Sequence, residues 1–258
     1  EGEITIPLLE NFLKKDVPTN VKQEKGLSVR QIPERLGELR GLGVLAKVAQ
    51  GEPKPGTEKE FTIAKNVKVK CCWIPSGEGT KGFWLGKYEV TQQEWLAVGL
   101  KNPSYFAATG EGKEAVPAKT DRFPVENVSW EDCQEFLQLA NGAKLEQGIF
   151  ALPTLLEWQY AAKGKQTTLP ELTKSVANFG NKSTVSAEHF EAQHPWGLCH
   201  LFGNVAEWCA DELPANKRYA LGGYYSSTAS DCQVTSTRTV PKDFPTPSIG
   251  LRLVFRVR

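Results

Sequence analysis

The stretch LFGNVAEWCAD, residues 201–211, carries more structural information than its length suggests. Gly203 and Asn204 specify a tight turn, since Gly lacks a Cβ and Asn tolerates positive φ. Glu207 and Trp208 then set a carboxylate beside an indole. Such a carboxylate has three readings: a general acid, a calcium ligand together with the Asn204 carbonyl, or a buried acceptor for backbone N–H groups. No second carboxylate motif lies alongside, so the buried acceptor is favoured.

Upstream, three segments share one signature. TQQEWLAVGL has Thr91 in the N-cap position with Glu94 three residues on, the spacing of a capping box. VSWEDCQEFLQLANG has Ser129 before Glu131 and Asp132, with Cys133, Phe136, Leu137 and Leu139 as an apolar face. LPTLLEWQYAAKG has Thr154 as cap, Glu157 at the box position and Gly164 as terminator. These predict three helices. FTIAKNVKVKCCWIP alternates as one or two strands, on which Cys71 and Cys72 face opposite ways, and FWLGKYEV reads as another strand. Residues 165–195 are polar and irregular, and strand and turn signals dominate the C-terminal third. The fold class is α+β, with few helices, short strands and long loops.

Residues 1–60 read differently. Ile32, Leu36, Leu39 and Leu45 fall at helical spacing, cut by Pro33 and glycines into one or two short helices, and GEPKPGTEKE at 51–60 is a connector. The main domain is expected over 61–258. Over the whole chain, 31 basic and 30 acidic residues nearly cancel, and no basic stripe is interleaved with aromatics, which argues against nucleic acid as a partner. No apolar run approaches the ~20 residues of a membrane span. The six cysteines form no CxxC pair, so free buried thiols are expected. His189, His194 and His200 lie near Cys199 and Asp211, but the spacing fits neither HExxH nor a zinc finger, and no metal is assigned. No GxSxG elbow supports a serine triad.

In combination, FWLGKYEVTQQEW, FPVENVSWEDCQEFLQLAN, LPTLLEWQYAAKG, WGLCHLFGNVAEWCAD, LGGYYS and IGLRLVFR resemble, in order and approximate spacing, the formylglycine-generating-enzyme-like (sulfatase-modifying-factor) domain family. The resemblance covers about residues 68–258. It implies a C-type-lectin-like fold, with the LGG glycines and the GNVAEW aromatics as framework. Catalytic members of the family hold copper with two cysteines spaced five apart after the GGS motif. Here the second falls on Cys232 and the first on Ser227, and the arginine after the first is replaced by Thr228. Cu(I) calls for paired thiolates, so the resemblance implies a chain without a catalytic site or cofactor. An oxidoreductase relative using Cys232 and Glu207, and an accessory domain of the type fused to bacterial kinases, are the alternatives.

Between Ser226 and Ser248, ten of 23 residues carry a hydroxyl, three are Pro and the one large apolar side chain is Phe244. Non-catalytic relatives carry Asn-rich sequence there. Ala229, Cys232, Ile249, Gly250 and Arg252 fit their frame, whereas the Asn-type positions hold Ser226, Ser227, Thr228, Ser230, Asp231, Ser236, Thr239 and Ser248. This pattern resembles the variable region of diversity-generating-retroelement proteins, where adenines of Asn codons are randomised. An AAC codon altered at both adenines never yields Met, Trp, Lys, Glu or Gln, and between 226 and 248 only Gln233 and Lys242 break that rule. The expected ligand-binding residues are Tyr224, Tyr225, Ser226, Ser227, Thr228, Ser230, Asp231, Ser236, Arg238, Thr239, Val240, Asp243, Phe244, Thr246 and Ser248, with Tyr224, Tyr225 and Phe244 as anchors. A protein or surface-receptor ligand, met at a cell or phage surface, is the implied partner. A surface loop that drifted to Ser, Thr and Pro is the competing explanation.

Overall fold

The computed structural model describes residues 52–143, 148–165 and 172–257; the helices expected around Ile32 to Leu45 lie outside the described residues. Strands β1 (Glu58–Ala64) and β2 (Val67–Ile74) form an antiparallel hairpin. On β1, Glu58 and Glu60 stay exposed and pair diagonally with Lys70 and Lys68 of β2 (3.5 and 3.8 Å), while Phe61 and Ile63 turn into the core. Exposed ion pairs of this kind add little stability, so the buried alternate side chains hold the hairpin. Cys71 and Cys72 alternate across β2 and fall in two different apolar clusters. All six cysteines are buried and free.

Strand β3 (Phe83–Gly86) stops four residues short of the Val90 end that the sequence suggests. The carbonyls of Gly86 and Lys87 accept hydrogen bonds from the Arg252 guanidinium (2.9 Å each). Helices α1 (Gln92–Ala97), α2 (Trp130–Gly142) and α3 (Leu155–Lys163) each begin with the expected cap, completed by Glu94, Asp132 and Glu157. Each box satisfies amides that a helix start otherwise leaves open, worth ~1 kcal/mol per cap. Strand β4 (Gly148–Ala151) follows α2.

The last strand, β9 (Val254–Val257), inserts between β3 and β4, giving the order β1-β2-β3-β9-β4. The second sheet contains β5 (Ala206–Trp208), β6 (Lys217–Leu221), β7 (Thr237–Pro241) and β8 (Ile249–Gly250), in the order β7-β6-β5-β8, with β5 and β8 parallel. The 226–248 segment therefore contains an edge strand, β7. Thr237, Thr239 and Val240 are β-branched, which suits a pleated, half-buried position. No helix among the described residues is long and apolar enough to cross a membrane.

Candidate binding face

Two buried carboxylates fix the frame under the C-terminal loops. Arg252, fully buried, directs Nε and Nη2 to Glu207 (2.6–2.9 Å), Nη1 to the carbonyls of Gly86 and Lys87, and Nη2 also to the carbonyl of Cys199 (2.8 Å). All five guanidinium N–H groups are thus engaged. Glu207 further accepts the Trp158 indole N–H at 2.6 Å. Both of its oxygens are taken, so the carboxylate of GNVAEW is a buried acceptor, and it serves side chains rather than backbone amides. Trp208, also buried, donates its indole N–H to the Val128 carbonyl (3.0 Å).

Glu89, which sequence reasoning did not single out, accepts the Asn204 side-chain amide (2.7 Å) and the Val205 N–H (3.1 Å). Burial, then the nearby Glu207 charge, push its carboxyl up to about 8. The oxygen of the Asn204 side chain accepts from Asn178 (3.1 Å) and from the Val185 amide (2.9 Å). The Gly-Asn turn is consequently locked from three directions.

Onto this frame the 222–248 segment is pinned chiefly through its backbone. The Tyr225 amide donates to the Asn204 carbonyl (2.9 Å), and the carbonyls of Tyr225 and Ser227 accept from the amides of Asn181 (2.6 Å) and Gly180 (2.9 Å). Lys242 donates to Asn216 and accepts from Trp130 at the start of α2, Thr246 accepts from Asn127, and Ser248 accepts from Ala206. Backbone pairs do not depend on which side chain each residue carries. That is the physical condition for a fixed loop with exchangeable side chains.

Of the fifteen residues expected to bind, Ser226, Thr228, Ser230, Asp231, Arg238, Thr239, Asp243 and Phe244 are exposed, and Tyr224, Tyr225, Ser236 and Thr246 are half-buried. Phe244 shows 53% of its surface, a large value for an aromatic side chain. The remaining three, Ser227, Val240 and Ser248, are buried. Ser227 accepts the Tyr224 amide (3.1 Å), Ser248 accepts from Arg238 (3.1 Å), and Val240 packs in the main core cluster. Small polar residues are hard to sort by sequence, because a serine caps a buried amide as readily as it faces water.

The anchors differ in setting. Tyr225 meets Phe106 edge-on (centroids 5.0 Å, 84°) and Tyr224 in turn (5.6 Å, 76°), while the Arg238 guanidinium lies 5.7 Å from the Tyr224 ring. Glu126 is fully buried close by, accepting the Phe106 amide at 2.8 Å; burial raises its carboxyl to about 8. Burial chiefly, with the Glu126 charge, raises the Tyr225 phenol as well. At the other end of the face, Thr228 donates its amide (3.0 Å) and hydroxyl (2.7 Å) to Asp231, holding that carboxyl below its usual range. This exposed turn closes on itself and leaves its outer edges to solvent.

The donor set at the family's copper position does not fit Cu(I). Ser227 supplies a hydroxyl already used by the Tyr224 amide, and burial pushes the Cys232 thiol up to about 11. A single neutral thiol is not the thiolate pair the ion needs. The histidines also have structural partners: Nε2 of His200 meets the Ala187 carbonyl (3.0 Å), Nδ1 of His194 accepts the Trp196 amide (3.2 Å), and His189 packs edge-on against Phe190 (4.6 Å).

The chaperone protein LppX of Paenibacillus barcinonensis is 24% identical over 237 residues, spanning 67% of this chain and 79% of that protein. Among solved structures, Treponema denticola variable protein 1 superposes with a TM-score of 0.63 at 22% identity, covering 78% of this chain and 99% of that one. PvdO from Pseudomonas aeruginosa gives a TM-score of 0.59 at 17% identity, covering 79% and 99%. The shared architecture is the α+β, C-type-lectin-like fold that the motif order implies. Residues 75–257 match the sulfatase-modifying factor enzyme 1-like domain, and the chain belongs to that formylglycine-generating-enzyme-like family.

Proposed function

We propose that the chain is a non-catalytic ligand-binding protein of the diversity-generating-retroelement kind. Its exposed residues between 224 and 248 would contact a protein or receptor at a cell or phage surface. The observation that carries this reading is the division of labour in the segment: backbone groups bond to the frame, while Ser226, Thr228, Ser230, Asp231, Thr239, Asp243 and Phe244 face solvent. Short hydroxyl and carboxylate side chains there offer adaptable hydrogen bonds, and Tyr224, Tyr225 and Phe244 offer apolar area with few rotamers to lose. The fold likeness to a variable protein of Treponema denticola supports the same reading.

The two residues that break the codon rule both have partners within the protein. Gln233 donates to the Ala229 carbonyl (3.1 Å), and Lys242 pairs with Glu131 (2.8 Å) besides holding the start of α2 through its carbonyl. Positions with structural duties are those a diversified protein would keep out of reach of randomisation. Sequencing the coding DNA from many independent isolates tests the proposal. Substitutions are expected to concentrate at the exposed positions, with Gln233, Lys242, Gly222, Gly223 and Arg252 unchanged and an Asn-codon near-copy beside a reverse-transcriptase gene. Isolates that agree throughout 224–248, or differ evenly along the chain, would contradict it.

A further inference from the structure

Glu126 stands where three segments meet behind the 224–248 face. Its Oε1 accepts the Phe106 amide (2.8 Å) and its own amide donates to the Ser104 hydroxyl (3.3 Å), so the 104–106 loop is stitched to it in both directions. The Phe106 ring in turn meets Tyr225 edge-on, with 5.0 Å between centroids. The next residue, Asn127, donates its backbone amide to the Thr246 carbonyl (3.0 Å) and its side-chain amide to the Pro103 carbonyl (3.0 Å). Both ends of the face, at Tyr225 and at Thr246, therefore lean on residues 126 and 127.

The carboxyl at this crossing has no counter-charge. Glu126 is fully buried, its Oε2 has neither solvent contact nor a hydrogen-bond partner, and no Lys, Arg or His among the described residues acts on it. Glu89, the other buried carboxyl of the frame, differs in having the Arg252 cation near it and two polar partners. The titratable groups on the segments around Glu126 are phenols: Tyr105 beside Phe106, and Tyr224 and Tyr225 on the face. A neutral carboxyl tolerates such a setting, whereas a carboxylate is driven towards water. Burial accordingly raises the carboxyl to about 8, which leaves it mostly protonated at neutral pH.

We propose that Glu126 is a pH-sensitive latch under the face: as a neutral acid it holds the 103–106 loop against Tyr225 and Thr246, and as a carboxylate it draws in water and loosens both. Because the carboxyl lies above its ordinary value of 4.5 when the loop is closed, closure is favoured most below that pH. The advantage then falls by up to about tenfold per pH unit until about 8, where it is spent. As a control on partner binding the latch rests on the face proposed above; as an opening of the free protein it does not, so it is measured without a partner.

The test is amide exchange of the full 258-residue chain between pH 5.5 and 9, read by NMR as protection factors at Tyr225 and Asn127. These amides donate to the Asn204 and Thr246 carbonyls and not to the carboxyl itself. Their protection should fall by up to about tenfold per pH unit and level off near 8. Glu126→Gln, which keeps the shape and cannot ionise, should hold it flat. Equal slopes in the two proteins would assign the effect to another group, Glu89 first, and overturn the latch. Should Glu126→Gln fail to fold, the parent decides alone: in ¹³C-glutamate-labelled protein the Glu126 Cδ resonance should titrate near 8 as protection is lost. A Cδ resonance that titrates near 4.5, or protection that stays constant across the range, also overturns the proposal. Isolates without variation at the face would remove the binding role and leave these measurements untouched.

Discussion

Arg252→Met will destabilise the domain by about 3–5 kcal/mol, the usual cost of stripping one partner from a buried ion pair. The substitution keeps much of the apolar stem and removes five N–H donors at once. It leaves the Glu207 carboxylate buried with the Trp158 indole as its remaining partner, and it strips the same donor from the carbonyls of Gly86, Lys87 and Cys199. Since domains of this size are stable by only ~5–15 kcal/mol, urea unfolding should show a large fall in midpoint or no folded baseline. Arg252→Lys should fall between, because an ammonium cannot reproduce the planar fork. The double variant Arg252→Met with Glu207→Gln should recover part of the loss by removing the orphaned charge. Equal stability of the single and double variants would show that the pair is not what the charge is buried for.

Gly223→Ala is the second large effect, expected at about 2–4 kcal/mol from overpacking and a left-handed backbone together. Gly223 has φ +71°, and a Cβ there would lie 2.4 Å from Cys232 Sγ and 3.1 Å from its Cα. Both cannot hold their places, so the loop from Tyr224 to Asp231 must shift. At Gly222, with φ +92°, an added Cβ would likewise lie 2.6 Å from the Leu201 carbonyl oxygen. Adding Cys232→Ala to Gly223→Ala relieves the sulfur clash and not the one with the Cα, so it should restore only part of the stability. Thermal unfolding of the three proteins decides the matter, and a Gly223→Ala variant as stable as the parent would contradict the packing described.

What the sequence made legible was whatever is local. Thr91, Ser129 and Thr154 declare their helices because a capping box needs only residues three apart. The alternation of Cys71 and Cys72 followed from the period of a strand. Long-range pairings were hidden. Nothing near Val254–Val257 reveals that β9 enters between β3 and β4, and Glu207 stood among three open readings because its partner lies 45 residues away at Arg252. Glu89 was missed for the same reason, since its partners Asn204 and Val205 are more than a hundred residues on. In the proposed binding segment, the hydroxyl-rich run includes exposed residues such as Thr228 and Ser230. It also includes the buried Ser227 and Ser248, whose hydroxyls accept hydrogen bonds from within the protein. Val240 was recoverable from the β-branched run TRTV, which marks the edge strand that turns it inward.

The most direct measurement is the unfolding of a pooled library in which Ser226, Thr228, Ser230, Thr239, Asp243 and Phe244 are replaced together by arbitrary residues reachable from an AAC codon. Each of these side chains faces solvent while the backbone beneath is held by the frame. Most members should unfold cooperatively within a few degrees of the parent, as surface changes of roughly ±0.5 kcal/mol each allow. If most members lose cooperative unfolding, the side chains and not the frame hold the loop, and the face is not an exchangeable contact surface.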